Sequence, residues 1–125
     1  MSFNEISEKA AELLNLKSAV AHWRYQRLTA VALVPLSIWL LLLLNKALHA
    51  PYAETLHWLA APLNTFAILA WTVAVIYHAA LGVQVVLEDY VSTLTCRHAA
   101  IRASNLAFLS IGIIALISII LIFLR

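Results

Sequence analysis

The sequence predicts an all-α integral membrane protein with three transmembrane helices and a short amphipathic helix at its N-terminus. Of its 125 residues, 64% are hydrophobic and only 11% are charged, and the mean hydropathy is +0.93. A soluble domain carries about 25% charged residues, so this chain has too few charges to cover a surface in water. Its apolar residues also cluster in long blocks, which indicates that lipid is the main solvent. Strands are excluded because an open sheet would leave unpaired backbone groups in hydrocarbon.

The N-terminal segment, residues 1–26, contains the predicted amphipathic helix. Ser2 and Glu5 fit a capping box, and apolar residues recur at helical spacing between residues 2 and 20. Such a helix is typical of a segment that lies on a membrane surface or on a partner protein.

Three apolar blocks follow, and with the N-terminal segment they form a single membrane-anchor domain over residues 1–125. Each block is long enough to cross a hydrocarbon core about 30 Å thick. The predicted transmembrane helices cover about residues 28–48, 57–87 and 103–124. The second is longer than a bilayer requires, so it should tilt or project beyond the lipid.

The distribution of positive charge predicts the orientation of the chain. Three spans put the N-terminal segment and the loop after the second span on one side of the membrane. That side carries Lys9, Lys17, Arg24, Arg27, Arg97 and Arg102, whereas the other carries only Lys46 and Arg125. The positive-inside rule therefore predicts a multi-pass protein with a cytoplasmic N-terminus. The lack of an Arg- and Ser-rich presequence favours a bacterial inner membrane.

His78 is the first candidate for chemistry, because it lies about three helical turns inside the second span. Ionisable residues at this depth are costly and usually functional. A neutral imidazole can ligate haem iron without carrying charge into lipid. A hydrogen bond to a neighbouring helix explains a histidine here equally well. The other four histidines lie near the ends of the spans and are interpreted as interfacial.

Helical periodicity places His78 on one face of the second span with Trp71, Gly82, Val85 and Asp89. Gly82, one turn from the histidine, removes a side chain where a flat macrocycle would need room. Close packing of helices also favours small residues, and from this face alone packing is the better interpretation of Gly82.

Asp89 and Tyr90 end the same helix, about 16 Å along its axis from His78. A tyrosine hydroxyl can donate a hydrogen bond to a quinone carbonyl, and an adjacent carboxylate can relay protons. A solvated helix end with an interfacial aromatic residue would have the same sequence. Arg27, before the first span, lies at the same membrane face. It can pair with a carboxylate of a bound group or simply fix the orientation of the chain.

Two segments resemble a known family. HWRYQRLTAVALVPL at residues 22–36 and HAALGVQVVLEDYV at residues 78–91 are similar to the small hydrophobic membrane anchor subunit of succinate dehydrogenase. The bacterial type, with three spans and one b-type haem shared with a second anchor chain, is the best match. The order and lengths of the spans agree over the whole chain, but the two motifs carry the specificity.

The resemblance implies a role for each candidate residue. His78 is expected to be an axial ligand of haem b, with the second ligand from another chain, and Arg27 is expected near the haem propionates. Gly82 belongs to the same cofactor-binding motif. Tyr90, supported by Asp89, is expected to bind ubiquinone. Glu88 is an additional acid with no matching role.

The same resemblance implies partners and a reaction. FAD and the iron–sulfur clusters would reside in a flavoprotein subunit and an iron–sulfur subunit docked on the cytoplasmic face. Electrons would pass from succinate to ubiquinone, as in respiratory complex II and the tricarboxylic acid cycle, and the chain would not be catalytic alone. Two alternatives stay open: a fumarate reductase anchor, which runs the reaction in reverse, and a structural membrane subunit without a cofactor.

Overall fold

The structure is a computed structural model that describes all 125 residues, and it contains helices but no strand. Four helices follow one another along the chain: α1 (Phe3–His49), α2 (Tyr52–Leu59), α3 (Pro62–Tyr90) and α4 (Leu94–Phe123). Helices α1, α3 and α4 are long and apolar enough to cross a membrane. The predicted fold class, an all-α chain with three membrane-spanning helices, is confirmed.

Helix α1 joins the N-terminal helix and the first span into one helix of 47 residues. It begins with the capping box: the Ser2 hydroxyl accepts from the Glu5 N–H at 3.3 Å, and the Glu5 carboxylate accepts from the Ser2 N–H at 2.6 Å. Residues 20–28 contain no Gly or Pro, so nothing ends the helix where the separate span was expected to begin. At about 70 Å the helix is longer than a bilayer core, so its N-terminal part projects beyond the lipid.

The helices that carry the other two predicted spans do not begin where those spans were predicted to begin. Residues 57–59, expected at the start of the second span, belong to α2, and a short turn separates them from α3. Helix α3 starts at Pro62, because a proline at the first helical position has a suitable φ and needs no N–H partner. Helix α4 starts at Leu94, before the predicted residue 103, and therefore carries Arg97 and Arg102 near its N-terminal end.

Helix α3 lies between the other two spans. It packs against both α1 and α4, which do not contact each other. Only Thr65, Thr72 and Leu81 of α3 and Gly112 of α4 are buried, so the three spans enclose no core of their own. Most of the apolar surface must therefore be covered by lipid or by other chains.

Three side-chain contacts fix the antiparallel register of α1 and α3. The Trp71 indole N–H donates to the Ser37 hydroxyl at 3.0 Å, near the middle of both helices. Closer to the C-terminal end of α3, His78 contacts Thr29, and Gly82 lies against Gln26. The face of α3 that bears Trp71, His78 and Gly82 is thus turned toward α1.

Candidate functional site

The centre of the candidate site is the contact between His78 of α3 and Thr29 of α1. The His78 side chain is half-buried, and its Nδ1 lies 3.0 Å from the Thr29 hydroxyl oxygen. Its other ring nitrogen, Nε2, makes no hydrogen bond within the chain and is not among the enclosed polar atoms. One side of the imidazole is therefore anchored to α1, and the other is available to a group outside the chain.

Thr29 is itself held by the backbone of its own helix. Its hydroxyl oxygen lies 2.8 Å from the Tyr25 carbonyl oxygen and 3.0 Å from the Gln26 carbonyl oxygen. A threonine in a helix commonly bonds to the carbonyl one turn back, and this bond restricts its side-chain rotamer. The oxygen that contacts His78 consequently has a fixed position.

Gly82 lies one turn from His78 and faces the Gln26 side chain. A Cβ atom built at Gly82 would lie 3.6 Å from Gln26 Nε2, which is an ordinary van der Waals distance. The approach of α1 therefore leaves room for a methyl group. Packing between these two helices does not by itself require glycine at this position.

Arg27 lies at the level of Gly82 on the adjacent helix, because Gln26 is the residue that meets Gly82. Its side chain is exposed, and its guanidinium carbon lies 5.1 Å from the centroid of the Trp23 ring. This distance is within the range of a cation–π contact. The charge is thus held beside α1, about one turn from the level of His78.

Asp89 and Tyr90 lie farther along α3 than the two residues that meet α1. By the register of the two helices they are about 10 Å beyond the level of Arg27. Asp89 is exposed, and Tyr90 is 85% exposed. Neither makes a side-chain hydrogen bond within the chain, whereas the neighbouring Glu88 carboxylate accepts from the Gln84 amide at 2.8 Å. The chain therefore places Gly82 and Arg27 within about one turn of His78 along the helix axes and leaves the acid–phenol pair farther along α3.

The structure adds His22 and Gln26, which were not among the predicted site residues. Both line a cavity of about 540 Å³ between α1 and the C-terminal part of α3, together with Gln84 and Glu88. His22 Nε2 and Gln26 Oε1 are enclosed there without a hydrogen-bond partner. Because such atoms are costly to bury unpaired, they mark a place where a further polar group or water is expected. The prediction that His22 lies near the membrane interface is untested by this contact, and the structure adds that His22 lines this cavity.

A signal for these residues exists in the sequence. His22, Gln26 and Thr29 recur at intervals of four and three, which places them on one face of a helix. This polar face becomes visible only when residues 20–28 are treated as helical.

The chain does not assemble a metal site from its own side chains. No group of three or more His, Cys, Asp or Glu residues is close enough to hold an ion. His78 is therefore not part of a cluster of three such side chains within this chain.

The fold and the site define a multi-pass membrane subunit whose polar residues meet at one end of its spans. The family model of the succinate dehydrogenase/fumarate reductase transmembrane subunit matches residues 2–121. The chain belongs to this family, and the resemblance seen in the two motifs is confirmed.

Curated relatives agree with the family model. A succinate dehydrogenase hydrophobic membrane anchor subunit of Rickettsia bellii (strain RML369-C) is 37% identical over 98 residues, which is 78% of each chain. The protein with the same name from Rickettsia conorii is 36% identical over 85 residues, covering 67% of this chain and 68% of its own. A third, from Rickettsia felis, is 36% identical over 83 residues and covers 66% and 69%. No solved structure matches the chain significantly.

Proposed function

We propose that this chain is the membrane anchor of a succinate dehydrogenase, that His78 ligates a b-type haem, and that Tyr90 contributes to a ubiquinone site. Membership of the transmembrane subunit family and the names of the curated relatives support the coarse assignment. The single observation that carries the proposal of haem ligation is the hydrogen bonding of the two ring nitrogens of His78. One of its nitrogens is tied to Thr29, while the other is free at membrane depth.

The residues around His78 fit a haem iron. A porphyrin supplies four nitrogen ligands to its iron, so a haem would need one or two protein side chains and no larger cluster. His78 would supply one of them, and we propose that a second anchor chain supplies the other. An imidazole that ligates through one nitrogen usually donates a hydrogen bond through the other, and Thr29 supplies such an acceptor. When bound, the haem supplies a redox centre between the soluble subunits and the quinone.

Gly82 and Arg27 support the same placement. Because a methyl group would fit between Gly82 and Gln26, the glycine requires another explanation, and space for a planar ring against α3 is one. Arg27 lies at the same level, with its guanidinium next to Trp23. Its guanidinium would pair with a propionate through charge-assisted hydrogen bonds. The unpaired His22 and Gln26 atoms nearby are further candidates for polar contact with a bound group.

Tyr90 and Asp89 are proposed to form this chain's part of the ubiquinone site. Both are exposed at the end of α3, so a neighbouring subunit must enclose them before they can bind a headgroup. The Tyr90 hydroxyl would donate to a quinone carbonyl, and Asp89 would connect it to solvent protons. Their distance from the level of Arg27 separates the proposed quinone contact from the proposed haem contact along α3.

The partners follow from surface and charge. The spans enclose almost no core, and this favours a second anchor chain that packs against α1 and α3 and supplies the other axial ligand. Six of the eight Lys and Arg residues lie at the membrane face that carries Tyr90. That asymmetry supports a cytoplasmic N-terminus. From the family relationship we propose that the iron–sulfur and flavoprotein subunits dock on this face of a bacterial inner membrane.

A spectrum of the assembled complex tests the proposal. His78→Leu should lower the b-haem content per complex, measured as the reduced-minus-oxidised absorbance of complex purified through its partner chains. His98→Leu is the matched control, because His98 is an exposed histidine on α4. Full haem content in the His78 variant would remove the ligand assignment and leave a structural membrane subunit.

A further inference from the structure

The Thr29 hydroxyl lies close to three polar atoms but has only one proton to donate to them. Its oxygen lies within 3.0 Å of three polar atoms: the Tyr25 carbonyl oxygen, the Gln26 carbonyl oxygen and His78 Nδ1. A hydroxyl can donate one hydrogen bond and accept two. The two carbonyl oxygens can only accept, so they compete for the single Thr29 proton.

This arrangement assigns the direction of the contact with His78. With its proton shared by the carbonyl oxygens, the Thr29 oxygen offers lone pairs to His78, and Nδ1 must carry the proton that is donated. A neutral imidazole has only one N–H, so Nε2 is left with a lone pair. In the opposite arrangement the Nε2–H would have no acceptor within this chain, and an unpaired donor in a membrane-spanning segment is costly.

We propose that Thr29 is a positioning residue that holds His78 in the Nδ1–H tautomer and aims its Nε2 lone pair at the haem iron. The inference rests on the proposed function, since it assigns Thr29 a role toward the ligand named there. Thr29 does not contact the iron. It acts through the imidazole, whose ring orientation and basicity depend on the acceptor at Nδ1.

The rotamer of Thr29 makes it suitable for this role. The bonds to the Tyr25 and Gln26 carbonyl oxygens orient the hydroxyl within α1, and α1 is one continuous helix through this region. The acceptor for His78 is therefore part of a rigid element. Loss of a partner of this kind typically costs about 10–100-fold in metal affinity.

Three variants of Thr29 test the proposal in the purified complex. Thr29→Val keeps the shape but removes the acceptor, so the affinity for haem should fall about 10–100-fold. The haem that remains should have a higher midpoint potential, because a less basic imidazole stabilises ferric iron less. Its ferric electron paramagnetic resonance signal should shift as the ring rotates. Thr29→Ser keeps the hydroxyl and should restore the haem content, the potential and the signal.

The third variant and a control separate this role from general packing. Thr29→Cys places a weak acceptor at the same position and should give an intermediate potential, which keeps the test available if the valine variant does not assemble. Thr55→Val is the matched control, because the Thr55 hydroxyl donates to the Pro51 carbonyl oxygen at 3.3 Å and makes no hydrogen bond to a histidine. It should leave the haem unchanged.

The outcomes distinguish the two proposals. If His78→Leu retains the haem, the proposed function fails. If His78→Leu loses the haem but the valine and cysteine variants match the unmodified complex in haem content, potential and resonance signal, only the role of Thr29 is overturned.

Discussion

The substitution Gly82→Ala separates the packing of this chain from the binding of a cofactor. A Cβ at Gly82 would lie 3.6 Å from Gln26 Nε2, so the methyl group fits without movement of α1. Alanine is more favourable than glycine in a helix interior by about 1 kcal/mol. With the contribution of bound haem removed, the variant should therefore be as stable as the unmodified chain or slightly more stable, by thermal unfolding of the detergent-solubilised complex depleted of haem.

The same substitution should weaken the binding of haem, although it does not weaken the packing of the helices. If a macrocycle lies against Gly82, the added methyl overfills that contact, and overpacking costs about 1–3 kcal/mol. This corresponds to a loss of roughly five- to 150-fold in haem affinity. Haem per complex, measured by extraction and absorbance at limiting haem supply, should fall accordingly.

Gly112→Ala is the matched control for this experiment. Gly112 is buried on α4, and a Cβ there would lie 3.5 Å from Ile76 Cγ2, almost the same clearance as at Gly82. Gly112 packs against the side of α3 that lies opposite His78. The Gly112→Ala variant should therefore gain similar helix stability without a change in haem affinity. Full haem affinity in the Gly82 variant would refute the placement of a macrocycle there. Unfolding of that variant would refute the packing argument itself.

Three further predictions concern Tyr90, Arg27 and the hydrogen bond between Trp71 and Ser37. Tyr90→Phe should impair ubiquinone reduction in a succinate-driven assay while succinate-driven dye reduction survives; equal loss of both activities would indicate failed assembly. Arg27→Gln should lower the haem midpoint potential, because it removes a positive charge that disfavours ferric iron, whereas Lys46→Gln at the other end of α1 should not. An unchanged potential in a redox titration would contradict that assignment. Replacing Trp71 by Phe and Ser37 by Ala, singly and together, should show a coupling of about 0.6 kcal/mol in unfolding free energy, and strictly additive losses would contradict a hydrogen bond between them.

The spans and the N-terminal cap could be predicted because they depend on local composition. Long apolar blocks specify membrane helices wherever they occur, and Ser2 and Glu5 can cap each other as soon as the helix forms. The ends of the helices differ from the predicted limits of the spans, for two physical reasons. A change from amphipathic to apolar sequence does not end a helix without a breaker, and a proline can begin a new helix inside an apolar block.

The face of α3 that bears His78 could also be predicted, because helical periodicity alone places Trp71 and Gly82 beside it. The hydrogen-bond partner of His78 could not be predicted from the sequence. Thr29 is 49 positions away, and the contact depends on the register of two packed helices. A single threonine in an apolar span has many possible partners, and only the packed structure selects one.

Axial ligation by His78 is the central claim, and replacement by another iron ligand tests it most directly. The complex that carries His78→Met should contain a haem whose near-infrared magnetic circular dichroism band has moved from its position in the unmodified complex, as expected when methionine replaces imidazole, or it should contain no low-spin haem. A full complement of haem with the band unchanged would show that this imidazole does not bind the iron.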